Sequence, residues 1–248
     1  MHETVVISCI FGDKFSAVHH APLKADCFLF TNNTNLKDEI EDKNWIYVYV
    51  KSEISDDYVI SSLQSKYVKF LQFLRHERYR KLFECYDKII YVDHKNILKR
   101  SHIQRLEAIN DKPVLLRYAP TLKNTIWKEV KEASGQERYM RFEERTVDYI
   151  REKIKDGYRE DVIICNTGLI LYHIQNDKVI ELANEVHEDM INIGNPECQI
   201  FWAMISQRYE KIIQEIPFDL IPIEWKTPIK PTRINRWIHK IGSSLFHS

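Results

Sequence analysis

The chain alternates short apolar runs with longer segments in which apolar residues recur every three or four positions. Brief β-branched and aromatic runs bounded by polar turns read as buried strands, and the longer spacing reads as amphipathic helix. Val5 to Phe11, Cys27 to Thr31 and Trp45 to Val50 are therefore expected as strands. Ile60, Leu63, Tyr67, Phe70, Leu71 and Leu74 predict one long helix. Ile89 to Val92 forms the next strand and runs straight into Asp93; beyond His94 and Lys95, a helical pattern sets Ile97, Leu98, Ile103 and Leu106 on one side. Val114 to Leu116 is strand-like, Lys123 to Lys155 looks like two helices, and Val162 to Tyr172 returns to strand, interrupted at Asn166-Thr167-Gly168. Helices near Val179 to Ile191 and Glu197 to Tyr209 follow.

This alternation predicts an α/β sandwich with a mostly parallel sheet. Open sheets of that kind place their ligand sites at the carboxyl ends of the strands, where Asp93 stands. The plainer role for an Asp between strand and helix is a helix cap.

Composition narrows the function classes. At 248 residues and 44% hydrophobic, the chain can bury the core of one large or two small domains. Lys+Arg and Asp+Glu both total 36, so bulk charge argues against a nucleic-acid partner. Cys9, Cys27, Cys85, Cys165 and Cys198 are odd in number and widely spaced, which suits reduced core thiols better than a disulfide frame or zinc site. No signal peptide is visible and no apolar stretch approaches the roughly 20 residues that span a bilayer, so a soluble cytoplasmic protein is expected.

Six glycines include neither G-x-x-x-x-G-K-[ST] nor G-x-G-x-x-G. A phosphorylated ligand would then be held by side-chain cations or a metal. Lys66 and Lys69 are three apart and share a helix face, with Arg75, His76, Arg78, Arg80 and Lys81 further along. The competing account is a solvated cationic face.

Four segments, in order, carry a resemblance: Val5-Val6-Ile7-Ser8-Cys9-Ile10-Phe11-Gly12, Cys27-Phe28-Leu29-Phe30-Thr31-Asn32, Ser65-Lys66-Tyr67-Val68-Lys69 and Tyr91-Val92-Asp93-His94-Lys95. The series resembles a glycosyltransferase-like family of plants and bacteria, long catalogued as a domain of unknown function and related to nucleotide-sugar transferases of the GT-A fold. The resemblance spans roughly residues 4 to 218 and implies a GT-A-like, Rossmann-type three-layer α/β/α sandwich. It also implies that Phe11-Gly12-Asp13 and Thr31-Asn32 face the nucleotide base and ribose, with Lys66 and Lys69 at the diphosphate. Asp93 matches the first acid of D-x-D, whose carboxylates hold Mn2+ or Mg2+; His94 and Lys95 follow, and Lys95 replaces the second Asp. A cation there repels a dication and can itself neutralise phosphate, which makes any metal requirement doubtful.

By the same resemblance, Asn166-Thr167-Gly168 lines the donor-sugar and acceptor pocket, although a glycine in a strand often marks only a bulge. Glu197-Cys198-Gln199 resembles an acid-Gln pair, with Cys198 where the acid is expected. Glu197 is the nominee for catalytic base, or simply favours the helix N-terminus. Gln199 joins the pocket. Arg117-Tyr118 and Trp127 through Glu129 echo family positions without an assignable role.

The transferase domain is expected over residues 1–225, followed by a tail, 226–248. In the tail, Ile234, Trp237, Ile238, Ile241 and Leu245 form an apolar stripe opposite Arg233, Arg236 and Lys240. Such a helix suits peripheral contact with an anionic membrane or packs on its own domain. The expected activity is transfer of a sugar from a nucleotide-sugar donor to a glycan or lipid-linked acceptor. A nucleotidyltransferase is the alternative enzyme, and a non-catalytic nucleotide- or carbohydrate-binding subunit the alternative outside catalysis.

Overall fold

The computed structural model describes residues 4–13, 18–23, 26–118 and 125–225. In chain order the main elements are β1 (Thr4–Ile10), β2 (Cys27–Thr31), α1 (Lys37–Asp42), β3 (Ile46–Tyr49), α2 (Tyr58–Lys69), α3 (Glu77–Phe83), β4 (Lys88–Val92), β5 (Asn96–Ile97) and α4 (Arg100–Ile109). There follow β6 (Val114–Tyr118), α5 (Ile126–Ser134), α6 (Glu137–Met140), α7 (Glu143–Lys155), β7 (Cys165–His173), α8 (Asp177–Ile193), α9 (Cys198–Ile205), β8 (Ile213–Pro217) and β9 (Glu224–Trp225).

Seven strands form one sheet in the order β3-β2-β1-β4-β7-β6-β8, and β5 pairs with β9 beside it. Every pairing in the large sheet is parallel except those of β7, which runs against both β4 and β6. Alternate residues serve opposite faces, as the two-residue strand period requires. Val5, Ile7, Cys9, Phe28, Phe30, Ile89, Tyr91, Ile170 and Tyr172 pack with the core residues of α2, α3 and α5 to α9. Val6, Ile10, Leu29, Ile90, Val92, Leu169 and Leu171 pack on the other face with Leu36, Ile40, Ile103 and Leu106. The expected α/β/α sandwich with a mostly parallel sheet is the architecture the chain forms.

Several elements differ from expectation. The long helix stops at Lys69, because Leu71 adopts a left-handed conformation (φ +59) and a 3-10 turn, Gln72–Arg75, takes over. Apolar spacing survives the break, since Phe73 in that turn is fully buried. Ile97 belongs to β5 and not to the helix after Asp93, which begins at Arg100. The region expected as two helices holds three, α5, α6 and α7, with residues 119–124 outside the described set. Helix α9 gives way to 3-10 turns from Ser206. Short α1 and the edge strand β8 were not anticipated. The strand after Val162 begins at Cys165, and its irregularity is one of pairing: the register with β6 jumps between Leu116 and Arg117. The tail 226–248, with its proposed membrane helix, lies outside the described residues.

Candidate functional site

Because β7 alone is reversed, its first residues arrive at the sheet edge where β1, β2 and β4 end. Asp93 follows β4 at that edge. Its backbone N–H donates to the Gly168 carbonyl at 2.9 Å, and its own carbonyl accepts from Asn96 N–H at 2.8 Å. The Asn96 side-chain amide donates to the same Gly168 carbonyl at 2.9 Å. The Asp93 carboxylate is therefore not capping a helix. Its Oδ1 lies 3.0 Å from Lys69 Nζ and accepts the Tyr91 hydroxyl proton at 2.6 Å. Burial works against the charge on Asp93. The neighbouring Lys69 and Lys66 ammonium groups, with the Tyr91 and Lys69 hydrogen bonds, outweigh it and hold the carboxyl well below its usual range.

Lys66 and Lys69 sit in the last turn of α2, and the three-residue spacing turns both towards Asp93. Lys69 is buried, its Nζ 5.1 Å from the centre of the Tyr91 ring and 3.8 Å from Cys198 Sγ. Burial disfavours its charge, yet Asp93 more than compensates and keeps the ammonium protonated above its ordinary range. Lys66 is only 8% exposed. Among the described residues it makes no ion pair within 4 Å, although its charge is felt by Asp93 and Cys9. The remaining basic residues, Arg75, His76, Arg78, Arg80 and Lys81, are exposed, as a solvated face predicts.

The turn after β1 is held by β2's end. Asn32 accepts the Gly12 N–H at 3.0 Å, donates to the Glu53 carbonyl at 2.8 Å and reaches Gln64 Oε1 at 3.3 Å. Asn33 donates to the Gly12 carbonyl at 3.1 Å, and Thr31 Oγ1 accepts the Asn33 N–H at 3.0 Å. Gly12 has φ +91, and a β-carbon there would meet Ser61 Oγ at 2.3 Å and the Ser55 carbonyl oxygen at 2.8 Å. Phe11, Thr31 and Asn32 are buried and shape the turn, while Asp13 is exposed beside it.

At β7, Asn166 Oδ1 accepts the Gly168 N–H at 2.9 Å in a local turn. A β-carbon on Gly168 would lie 2.9 Å from that oxygen and 3.0 Å from Asp93 Oδ2, so the glycine permits the close approach of Asp93. Thr167 and Cys198 are both buried, with Oγ1 and Sγ 3.0 Å apart. Cys198 thus ties α9 to β7 and to Lys69. Glu197 caps α9 by accepting the Gln199 N–H at 3.3 Å, the plainer of its two expected roles. Gln199 turns its side-chain amide to Glu129 Oε1 at 2.9 Å.

Asp93, Lys69, Asn166 and Gly168 come together directly, Lys66 stands near Asp93, and Thr167 joins through Cys198, which Glu197 and Gln199 flank. His94 and Lys95 adjoin Asp93 in sequence and are half-buried. Among the described residues His94 Nε2 is sealed without a hydrogen-bond partner, and burial pushes the imidazole down to about 4, so it is neutral at pH 7. Tyr91, Asn96 and Glu129 contribute although the sequence assigns none of them a role. Tyr91 alternates into the core like any strand aromatic, and only its hydroxyl's reach distinguishes it.

A dication finds a poor donor set here. Asp93 Oδ1 already accepts two hydrogen bonds, Lys69 Nζ is 3.0 Å away, and no three His, Cys, Asp or Glu residues cluster for a metal among the described residues. Among those residues no helix is long and apolar enough to cross a membrane.

No family model matches this chain. No curated protein matches it either. Among solved structures, the apo crystal structure of mouse xyloside xylosyltransferase 1 is similar, with a TM-score of 0.44 and 9% identity over 86% of this chain and 85% of that one.

Proposed function

We propose that the chain is a glycosyltransferase, moving a sugar from a nucleotide-sugar donor to a glycan or lipid-linked acceptor in polysaccharide or lipopolysaccharide assembly. The observation that carries this reading is Lys66: a buried ammonium without an ion-pair partner among the described residues, beside the Lys69–Asp93 pair at the carboxyl ends of the strands. Asp93 is already engaged by Lys69, so Lys66 keeps a charge that an arriving anion can pair with. A diphosphate meets that need, and the sheet edge is where such ligands bind in open α/β folds.

In the proposed reaction the bond between the anomeric carbon and the diphosphate oxygen breaks, and its electron pair leaves with the nucleoside diphosphate. Lys66, Lys69 and Lys95 neutralise that developing charge. An acceptor hydroxyl forms the new bond to the anomeric carbon and passes its proton to Glu197, the candidate base. Asp93, fixed by Tyr91 and Lys69, offers its Oδ2 to donor-sugar hydroxyls, while Gly12 and the Thr31-Asn32 turn shape the base and ribose end. Mn2+ or Mg2+ is at most dispensable, because the donor set around Asp93 is already engaged by cations. The tail 226–248 would bring the domain to the inner face of a membrane that carries a lipid-linked acceptor.

Calorimetric titration of the full chain with nucleoside diphosphates and a panel of nucleotide sugars tests the proposal. At least one pair sharing a nucleotide should bind, and Lys66→Met should weaken both members about tenfold or more. If every nucleotide fails to bind, the transferase reading is wrong.

A further inference from the structure

Beside Lys69 and Cys198 lies a second cluster of opposite character, built from α5, α6 and the start of α9. Glu129 is 8% exposed, an unusual place for a carboxylate. Its Oε1 accepts the Gln199 amide at 2.9 Å, and its Oε2 has no hydrogen-bond partner among the described residues. Glu197 lies close enough to repel it. Tyr139 stands against Glu197, and burial together with that carboxylate keeps the phenol protonated far above its usual range. Burial first, then Glu197 and Glu132, push the Glu129 carboxyl up to about 7, against the opposing pull of Gln199 and Lys128. Two carboxylates and an amide supply acceptors for hydroxyl groups, and the two carboxylates repel a phosphate.

The cluster's place relative to the cations is fixed by the chain itself. Glu197 and Gln199 flank Cys198, whose Sγ is 3.0 Å from Thr167 Oγ1 and 3.8 Å from Lys69 Nζ. We propose that Glu129, Gln199 and Glu197 form a subsite for a hydroxyl-rich acceptor, in which Glu129 Oε2 accepts a hydrogen bond from a sugar hydroxyl. This assignment rests on the transferase reading and gives it a second substrate: an uncharged polyol or carbohydrate next to an anionic donor. A buried polar cluster of this kind discriminates sharply, since a ligand without the hydroxyl leaves Glu129 unpaired.

The test uses the full-length protein saturated with a nucleoside diphosphate, and methyl glycosides of glucose, galactose and mannose as probes, followed by ligand-observed NMR. At least one glycoside should bind, and Glu129→Gln and Gln199→Ala should each weaken it about tenfold. Nucleoside diphosphate affinity should stay within about twofold in both variants, which also shows that they are folded. Unchanged glycoside affinity in both variants overturns the assignment, as does failure of every glycoside to bind. Failure of the wild-type protein to bind any nucleoside diphosphate overturns the transferase reading instead, and the glycoside titration without nucleotide then decides the subsite separately.

Discussion

Lys69 and Asp93 are joined at 3.0 Å across an uneven boundary: the lysine side chain is 3% exposed and the carboxylate 39%. The two partners are therefore not equivalent when one is removed. A stranded Asp93 turns to solvent, whereas a stranded Lys69 stays buried against the Tyr91 ring and Cys198 Sγ. Asp93→Ala is expected to cost about 2–4 kcal/mol and Lys69→Met about 1–2 kcal/mol. Urea unfolding at pH 7 measures both. The reverse order would contradict this account of the pair.

Glu129 gives the fold a pH signature. Its carboxyl is raised to about 7 by burial and by Glu197, from an ordinary value of 4.5. A folded state that holds the proton more tightly has its full stability below about pH 4.5, and loses it as pH rises through about 7. Glu129→Gln removes that loss. The variant should match the wild type at pH 4.5 and exceed it by up to about 3 kcal/mol at pH 8. Equal denaturation midpoints at pH 8 would count against a buried, strained carboxylate.

The two site glycines should fail differently. On Gly168 an added β-carbon meets side-chain ends, Asn166 Oδ1, Asp93 Oδ2 and Asn96 Nδ2 at 2.9, 3.0 and 3.1 Å. Gly168→Ala should keep the fold within about 1 kcal/mol while displacing Asp93, with a drop in donor turnover of about tenfold. Gly12 combines φ +91 with a backbone oxygen 2.8 Å from the new carbon. Gly12→Ala should cost about 2–3 kcal/mol, measured by thermal unfolding.

Chelation bears on the metal question. With cations already facing Asp93, EDTA should leave nucleoside diphosphate affinity and donor turnover within about twofold. Abolition by chelator with recovery in Mn2+ would show that another ligand completes a dication site.

Much of this fold was legible in the sequence because strands buried on both faces are written as unbroken apolar runs, as in β1, β2 and β4. The edge strand β8 escaped notice because Gln214 and Glu215 interrupt its apolar character. The break after α2 was invisible for another reason: Leu71 is an ordinary core leucine whose left-handed backbone no side-chain pattern announces. In the site, the Lys66 and Lys69 spacing was readable because one helix turn relates them. The role of Glu129 was not, because its partners Gln199 and Glu197 stand some 70 residues away at another helix.

The single reversed strand also sets a schedule for folding. Asn96 reaches Gly168 across 72 residues, and Lys69 reaches Cys198 across 129. Closing such long loops costs entropy before any contact repays it, and nonlocal strand pairing is slow for that reason. The stretch through β6 contains the cations and Asp93 but lacks the Gly168 carbonyl and Cys198 that complete their contacts. Ligand affinity should therefore appear late in refolding, after the β1-β2-β3-β4 segment has gained its secondary structure, and a nucleotide added at that stage would stabilise only chains in which β7 has docked.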